Sequence, residues 1–359
     1  MSTLPPHPTK APIPRYHSKT AYHFPPEEST AILRASAYHR KDFDLAVIWF
    51  PPRAYTHFVI STVIASRKPT ATIGELDRLP LELINEICLW LDIASLFRFR
   101  QVNARARQIL NALHEYRVIT KHALSPLCAL LRTQTAPGVT LLDFYQLLCM
   151  KACSLCGNAY GDLVYLPTWI RCCSSCLRGN ALETRVTTLA SVKQILKLSK
   201  SSLNNFQKLK TLPGIYSLEE RRRTSRLTVI STLSALSAYS KENTGIEPTQ
   251  EMISKLNSLP ILAFMACCAI PSYNPQTGQV EIGVSCAGCQ VAVEDSIITH
   301  TGAWACEMRD KVYSRIEFLK HIEWCEQAQL LWLGSNRGTI ESPKWPYSCK
   351  KGGFFKHRG

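Results

Sequence analysis

Two pairs of cysteines constrain this chain more than any other feature. Cys153-Ser-Leu-Cys156 and Cys173-Ser-Ser-Cys176 lie a short hairpin's length apart. This is C-x2-C followed by C-x2-C, within the spacing window of a four-cysteine zinc site. Two thiolates two residues apart in a tight turn can face one ion at a Zn–S distance of about 2.3 Å, and two such turns brought together complete a tetrahedron. Gly157 supplies the backbone freedom that such a turn often needs. Val164, Tyr165, Leu166 and Trp169 fall between the pairs and can pack on the site. Cys172 is a rival to Cys173, since C-x3-C is also tolerated; Cys173 is preferred because it gives two matched turns. The competing readings are four reduced buried thiols, or a redox pair, for which one C-x2-C would suffice. A closed set of four ligands has no open position, so the expected zinc is structural.

A second set follows. Cys286-Ala-Gly-Cys289 repeats the turn, and His321 and Cys325 stand four residues apart further on. On a helix that spacing puts both side chains on one face, one turn apart. Cys286, Cys289, His321 and Cys325 make a mixed sulfur and nitrogen zinc set, so two structural zinc ions are expected. Cys306 is a rival ligand, and the alternative is a helix core lined by Phe318, Ile322, Leu330 and Trp332. Upstream, 262–270 and 280–284 read as two strands joined by a turn at 274–278, a β-hairpin.

The chain has 359 residues, 15 of them cysteine, and a formal net charge of +15. The N-terminus lacks the apolar core of a signal peptide, and apolar runs such as 261–270 are too short to span a bilayer. Cysteine abundance then points to metal or reduced thiols in an intracellular protein of the cytoplasm or nucleus, with no membrane partner. The positive charge permits an acidic partner, nucleic acid among them, but it is spread over the chain. The run Arg221, Arg222, Arg223 reads as a solvated helix face, with contact to phosphate or an acidic partner, or a nuclear address, as alternatives.

The stretch from Leu76 to Leu113 has a different character. Leu79, Leu83, Ile84, Ile87 and Leu91 recur at steps of three and four and share one helical face. Pro80 suits a helix's first turn. Asp92 or Ser95 can start a second helix carrying Leu96 and Phe97. Asn103 can cap a third, with Ala106, Ile109, Leu110 and Leu113. Three short amphipathic helices make a very small core, which is expected to bury its remaining apolar face against something else.

On Leu79-Pro80, Leu83, Ile87, Leu91, Leu96, Arg98 and Val102, this stretch resembles an F-box. The resemblance implies docking onto a SKP-family adaptor, and through it a cullin, by Leu79, Pro80, Leu83, Ile87, Leu91 and Leu96. The run from Gly283 to Cys289, with Tyr313, Arg315, Glu317, His321, Cys325 and Trp332, is similar to the C-terminal part of fungal F-box domain-containing proteins, as are Cys153, Cys156, Arg171, Cys173 and Cys176. The expected fold is mainly α: a three-helix F-box, helical connectors and small zinc-bound β-hairpin and helix modules. The expected layout is a proline-punctuated, poorly structured region at 1–72, the F-box at 73–115 and a helical connector at 116–150. The first zinc site at 151–180 follows, then a basic helical region at 181–258, a hairpin plus helix with the second site at 259–333, and a basic flexible tail at 334–359. No phosphate loop and no Ser-His-Asp or Cys-His arrangement is present, so no enzyme is expected. The resemblance implies a non-catalytic substrate-recognition adaptor of an SCF-type ubiquitin ligase, with an unknown protein substrate. The alternative is a zinc-dependent nucleic-acid binder.

Overall fold

The computed structural model describes residues 18–55, 72–157, 160–256, 259–297 and 302–357. They form mainly short α-helices with small antiparallel sheets. The chain divides into two compact units. One takes residues up to His39 together with Val284–Lys350; the other takes Arg40–Gly283 and the residues from Lys351 onward.

In the larger unit, the leucine-rich stretch forms helices Leu81–Trp90, Ile93–Val102 and Ala104–Ala112. Two side chains set their starts. The Asp92 carboxylate accepts the Ser95 N–H at 2.9 Å, and the Asn103 amide oxygen accepts the Ala106 N–H at 2.9 Å. Each satisfies a donor that the first helical turn leaves unpaired. Pro80 precedes the first helix in an extended conformation. Three more helices follow: His114–His122, Leu124–Thr133 and Leu141–Cys149. The last is opened by a reciprocal cap between Thr140 and Asp143. The Ile93 N–H donates to the Val139 carbonyl and the Leu141 N–H to the Leu91 carbonyl, which ties this helix to the first two. Ile84, Cys88, Ile93, Leu96 and Leu110 then share one core with Phe144, Leu147 and Leu148. Each such side chain gains about 1.5–3 kcal/mol on burial, so the small trio is completed from below by its own chain.

Beyond these helices, strand Leu163–Tyr165 pairs antiparallel with Ile170–Cys172 on one side and Cys267–Ala269 on the other. Arg171, fully buried, joins three segments: its guanidinium donates to the carbonyls of Gly161 at 2.6 Å, Leu147 at 3.1 Å and Ile270 at 3.1 Å. A second sheet has Thr228–Ser231 between Val186–Thr188 and Leu209–Lys210. The Arg221–Arg223 run is a strand paired with Gly214–Tyr216, not the helix face expected. Helical periodicity cannot be judged over three identical residues.

In the smaller unit, Ala37–Tyr38 pairs antiparallel with Ser285–Cys286. Helix Ser29–Ser36 packs on Arg315–Ile322 and Glu326–Gly334. The Trp332 indole donates to the Tyr22 hydroxyl at 3.2 Å. Helix Ala287–Glu294 crosses Glu326–Gly334 at Gly288, where a Cβ would lie 2.2 Å from the Ala328 nitrogen. Only a residue without a side chain allows that approach.

Several expectations need correction. Residues 18–55 carry helices Ser29–Ser36 and Lys41–Ala46, so this part of the N-terminal region is structured. Residues 1–17 and 56–71, with the apolar 58–64 stretch, lie outside the described residues. The 274–278 turn is present, but it joins Ser272–Tyr273 to Val280–Glu281; the expected strand at 262–270 is instead helix Ile261–Phe264 and strand Cys267–Ala269. In the expected tail, Tyr347–Lys351 is helical with Cys349 buried. The Phe354 N–H donates to Asp42, whose carboxylate also pairs with buried Arg40 at 2.7 Å.

Gly288→Ala is expected to destabilise the smaller unit by about 1–3 kcal/mol through overpacking. Limited proteolysis with mass mapping checks it, as faster cleavage within 284–350 than in wild type.

Candidate metal centres and an exposed leucine face

The first cysteine set is built by two turns flanking the Leu163–Tyr165/Ile170–Cys172 hairpin. After Cys153 the chain closes a turn through the Gly157 N–H to the Cys153 carbonyl, with Gly157 at φ +68°. Cys173 opens helix Ser174–Arg178, and its sulfur accepts the Cys176 N–H at 3.4 Å. The Leu155 N–H makes the same contact to Cys153. Buried Asp162 holds this helix start by accepting the Ser174 N–H at 2.9 Å, and burial pushes its carboxyl up to about 6.

The sulfurs of Cys153 and Cys176 are 3.8 Å apart and those of Cys156 and Cys173 3.9 Å, with all four within 4.8 Å of one another. A tetrahedron with metal–sulfur bonds of about 2.3 Å has sulfur–sulfur edges of about 3.8 Å. The donor set therefore fits one metal ion. The Cys153 thiol is drawn down to about 4, first by the hydrogen bond from Cys173 and then by nearby backbone N–H groups. Cys173 is pushed up by the same contact and by burial. Deprotonated sulfur is the form that binds metal. Cys172, the rival, is outside the set. It ends a strand, so its side chain points away from that of its neighbour, and its thiol meets Cys267 in the core.

The second set lies in the smaller unit. Cys286 ends the strand paired with Ala37–Tyr38 and opens helix Ala287–Glu294, accepting the Cys289 N–H at 3.4 Å. His321 lies at the end of helix Arg315–Ile322, and Cys325 begins Glu326–Gly334. The Cys286 and Cys325 sulfurs are 3.8 Å apart, those of Cys289 and Cys325 4.0 Å, and His321 Nε2 is 3.3 Å from the Cys289 sulfur. These four ligand atoms also lie within 4.8 Å of one another. Hydrogen bonds from Cys286 and Cys289 draw the Cys325 thiol well down. Exposed Cys306 is not in the set.

Sequence reasoning did not give Tyr313 a role at the second site. Its hydroxyl is 3.4 Å from His321 Nδ1 and its ring stacks on the imidazole at 4.8 Å. A partner on one ring nitrogen orients the other toward a metal. Asp162 and Arg171 also support the first site, and neither announces that in the sequence: one aspartate and one arginine become informative only when buried.

The leucine stretch splits into two faces. Ile84, Cys88 and Leu96 point into the core, Leu96 at 2 % exposure, whereas Leu83 and Ile87 are exposed by 51 % and 43 %. Leu76, Leu79, Pro80, Leu81 and Trp90 are exposed as well, and Leu91 is half-buried. Leu96 is therefore corrected from a docking side chain to a core one. Leu83, Ile87 and Trp90 follow a four- and three-residue step along the outer face, and the Trp90 indole is held by Glu86 at 2.8 Å.

A family model of the F-box domain matches residues 76–117, spanning all three helices and the opening of the next. Comparisons with curated proteins and with solved structures find no match. Residues 76–117 are thus an F-box domain, the kind of module that in general binds a SKP-family adaptor and through it a cullin.

Elemental analysis of the purified chain is expected to find two metal ions per chain, one for each set. Cys173→Ser and Cys325→Ser should each lose one ion, whereas Cys172→Ser should keep both. Full retention in Cys173→Ser would exclude the first set.

Proposed function

We propose that this protein is a substrate-recognition subunit of an SCF-type ubiquitin ligase. The observation that carries the reading is the outer face of helix Leu81–Trp90: it is apolar, exposed and on the matched F-box domain. A contiguous exposed apolar face on a folded protein marks an interaction site. Leu79, Pro80, Leu83, Ile87 and Trp90 make the adaptor contact, with Leu91 at its edge. Leu96 acts from beneath by fixing the second helix.

The rest of the chain holds the target. Zinc is the ion that four-cysteine and three-cysteine, one-histidine sets suit best, and a closed set is structural. Binding such an ion contributes directly to folding, so the two ions hold the target-binding part in shape. The chain itself transfers no ubiquitin. It raises the effective concentration of target beside the charged conjugating enzyme. Among the described residues no helix is long and apolar enough to cross a membrane, and the proposed setting is the cytoplasm or nucleus.

The test is capture of purified adaptor by the full chain. Wild type should bind. Leu83→Glu with Ile87→Glu should lose at least about 2 kcal/mol, roughly thirtyfold in affinity, and leave the melting temperature nearly unchanged because both side chains are solvent-facing. Leu79→Ala with Pro80→Ala should also weaken capture. Equal recovery of all three overturns the reading. Leu96→Ala should behave differently, losing about 2–5 kcal/mol of stability, visible as a lower melting temperature.

A further inference from the structure

The larger unit contains a groove of about 640 Å³, lined by residues from 47–51, by 212–216, and by Arg132 and Arg226. Its lining is largely apolar. Phe50 is buried, Pro213 and Ile215 line it, and Trp49 is 48 % exposed. No aspartate or glutamate is in that lining. Arg132, near the end of helix Leu124–Thr133, lies over the Phe50 ring at 4.6 Å. That contact fixes the flat face of the guanidinium and leaves its N–H edge for another group.

The charge continues past the groove. Strand Gly214–Tyr216, part of the lining, is paired with Arg221–Arg223. The nearest carboxylates in sequence are engaged elsewhere: Glu219 accepts the Ser217 hydroxyl at 2.6 Å, and Glu220 accepts the backbone N–H groups of Lys356 and His357. Among the described residues, none of Arg132, Arg222, Arg223 and Arg226 has a carboxylate at ion-pair distance. Four arginines at or beside one apolar groove, with a half-exposed tryptophan, leave both charge and apolar area without a counterpart.

We propose that this groove is the target-binding site, and that its occupant is an acidic, extended peptide segment bearing an apolar or aromatic side chain. Carboxylates on such a segment match the fork of a guanidinium in paired hydrogen bonds. Its apolar side chain fills the space over Phe50 and beside Trp49. Tryptophan and arginine are the residue types that most often dominate interface energy. A nucleic-acid strand fits less well, because it calls for successive stacking platforms along a cationic track, and here one lining aromatic is exposed while Phe50 and Tyr216 are buried. The proposal rests on the ligase-subunit reading for its purpose: the same compact unit carries the F-box domain and the groove.

The experiment pans a displayed library of random dodecapeptides against the full chain, with counter-selection on Arg132→Gln/Arg226→Gln. Enriched peptides should pair carboxylates with an apolar residue. In fluorescence anisotropy they should bind Trp49→Ala and the double arginine variant at least about tenfold more weakly than wild type, with affinity falling as salt rises. All three proteins should show the same melting temperature and the same adaptor capture. Failure of adaptor capture alone overturns the ligase reading and leaves the groove's specificity standing. Enrichment without acidic residues, no enrichment, or equal binding by wild type and variants overturns the groove. So does an oligothymidylate that binds more tightly than the peptides and weakens on the same substitutions, which would make it a nucleic-acid site.

Discussion

Two parts of this fold each depend on four ligand atoms meeting within a few ångströms. Each meeting draws together turns, strands of two or three residues, and short helices. The sulfurs are not only ligands. Cys173 and Cys286 also accept an N–H from the first turn of the helix they open, so one sulfur both caps a helix and faces the cluster. That arrangement accounts for C-x2-C at 173–176 and at 286–289. The two intervening residues are the first turn of the helix, and the second cysteine is carried round to face the first.

The two sites differ in how they are sheltered. In the first, Cys156 is exposed while Cys153 and Cys173 are buried; in the second, all three cysteines are buried. His321 has a further partner in Tyr313, whereas the first set leans on Asp162 and on the Arg171 strand. Buried Arg171 has three carbonyls rather than a carboxylate at hydrogen-bonding distance. Charge-assisted hydrogen bonds of that kind offset part of its desolvation.

Much of this was legible in the sequence, for physical reasons. Spacing alone selected the eight residues that the fold brings together, because ligand geometry limits which spacings can close. The caps at Asp92 and Asn103 were readable since capping is a local interaction. Helical periodicity found the F-box helices but merged their two faces. Leu83 and Ile84 are adjacent, and a step of three or four does not say which edge of an apolar stripe meets the core. What sequence could not show was pairing at long range. Tyr38 and Ser285 carry no mark of each other, and strands of two residues have no period to detect. The Arg221–Arg223 strand was misplaced because charge suggested a solvated helix, while its partner Gly214–Tyr216 decided the matter.

The pairing of Ala37–Tyr38 with Ser285–Cys286 has a consequence for biosynthesis. Ribosomes add about 5–20 residues per second, so the roughly 250 residues between those strands take on the order of tens of seconds to emerge. During that interval helix Ser29–Ser36 lacks the partners that cover Ile32, and the F-box can already be complete. Nascent chains paused before residue 284 would therefore carry a complete F-box domain while the apolar face of helix Ser29–Ser36 is still uncovered.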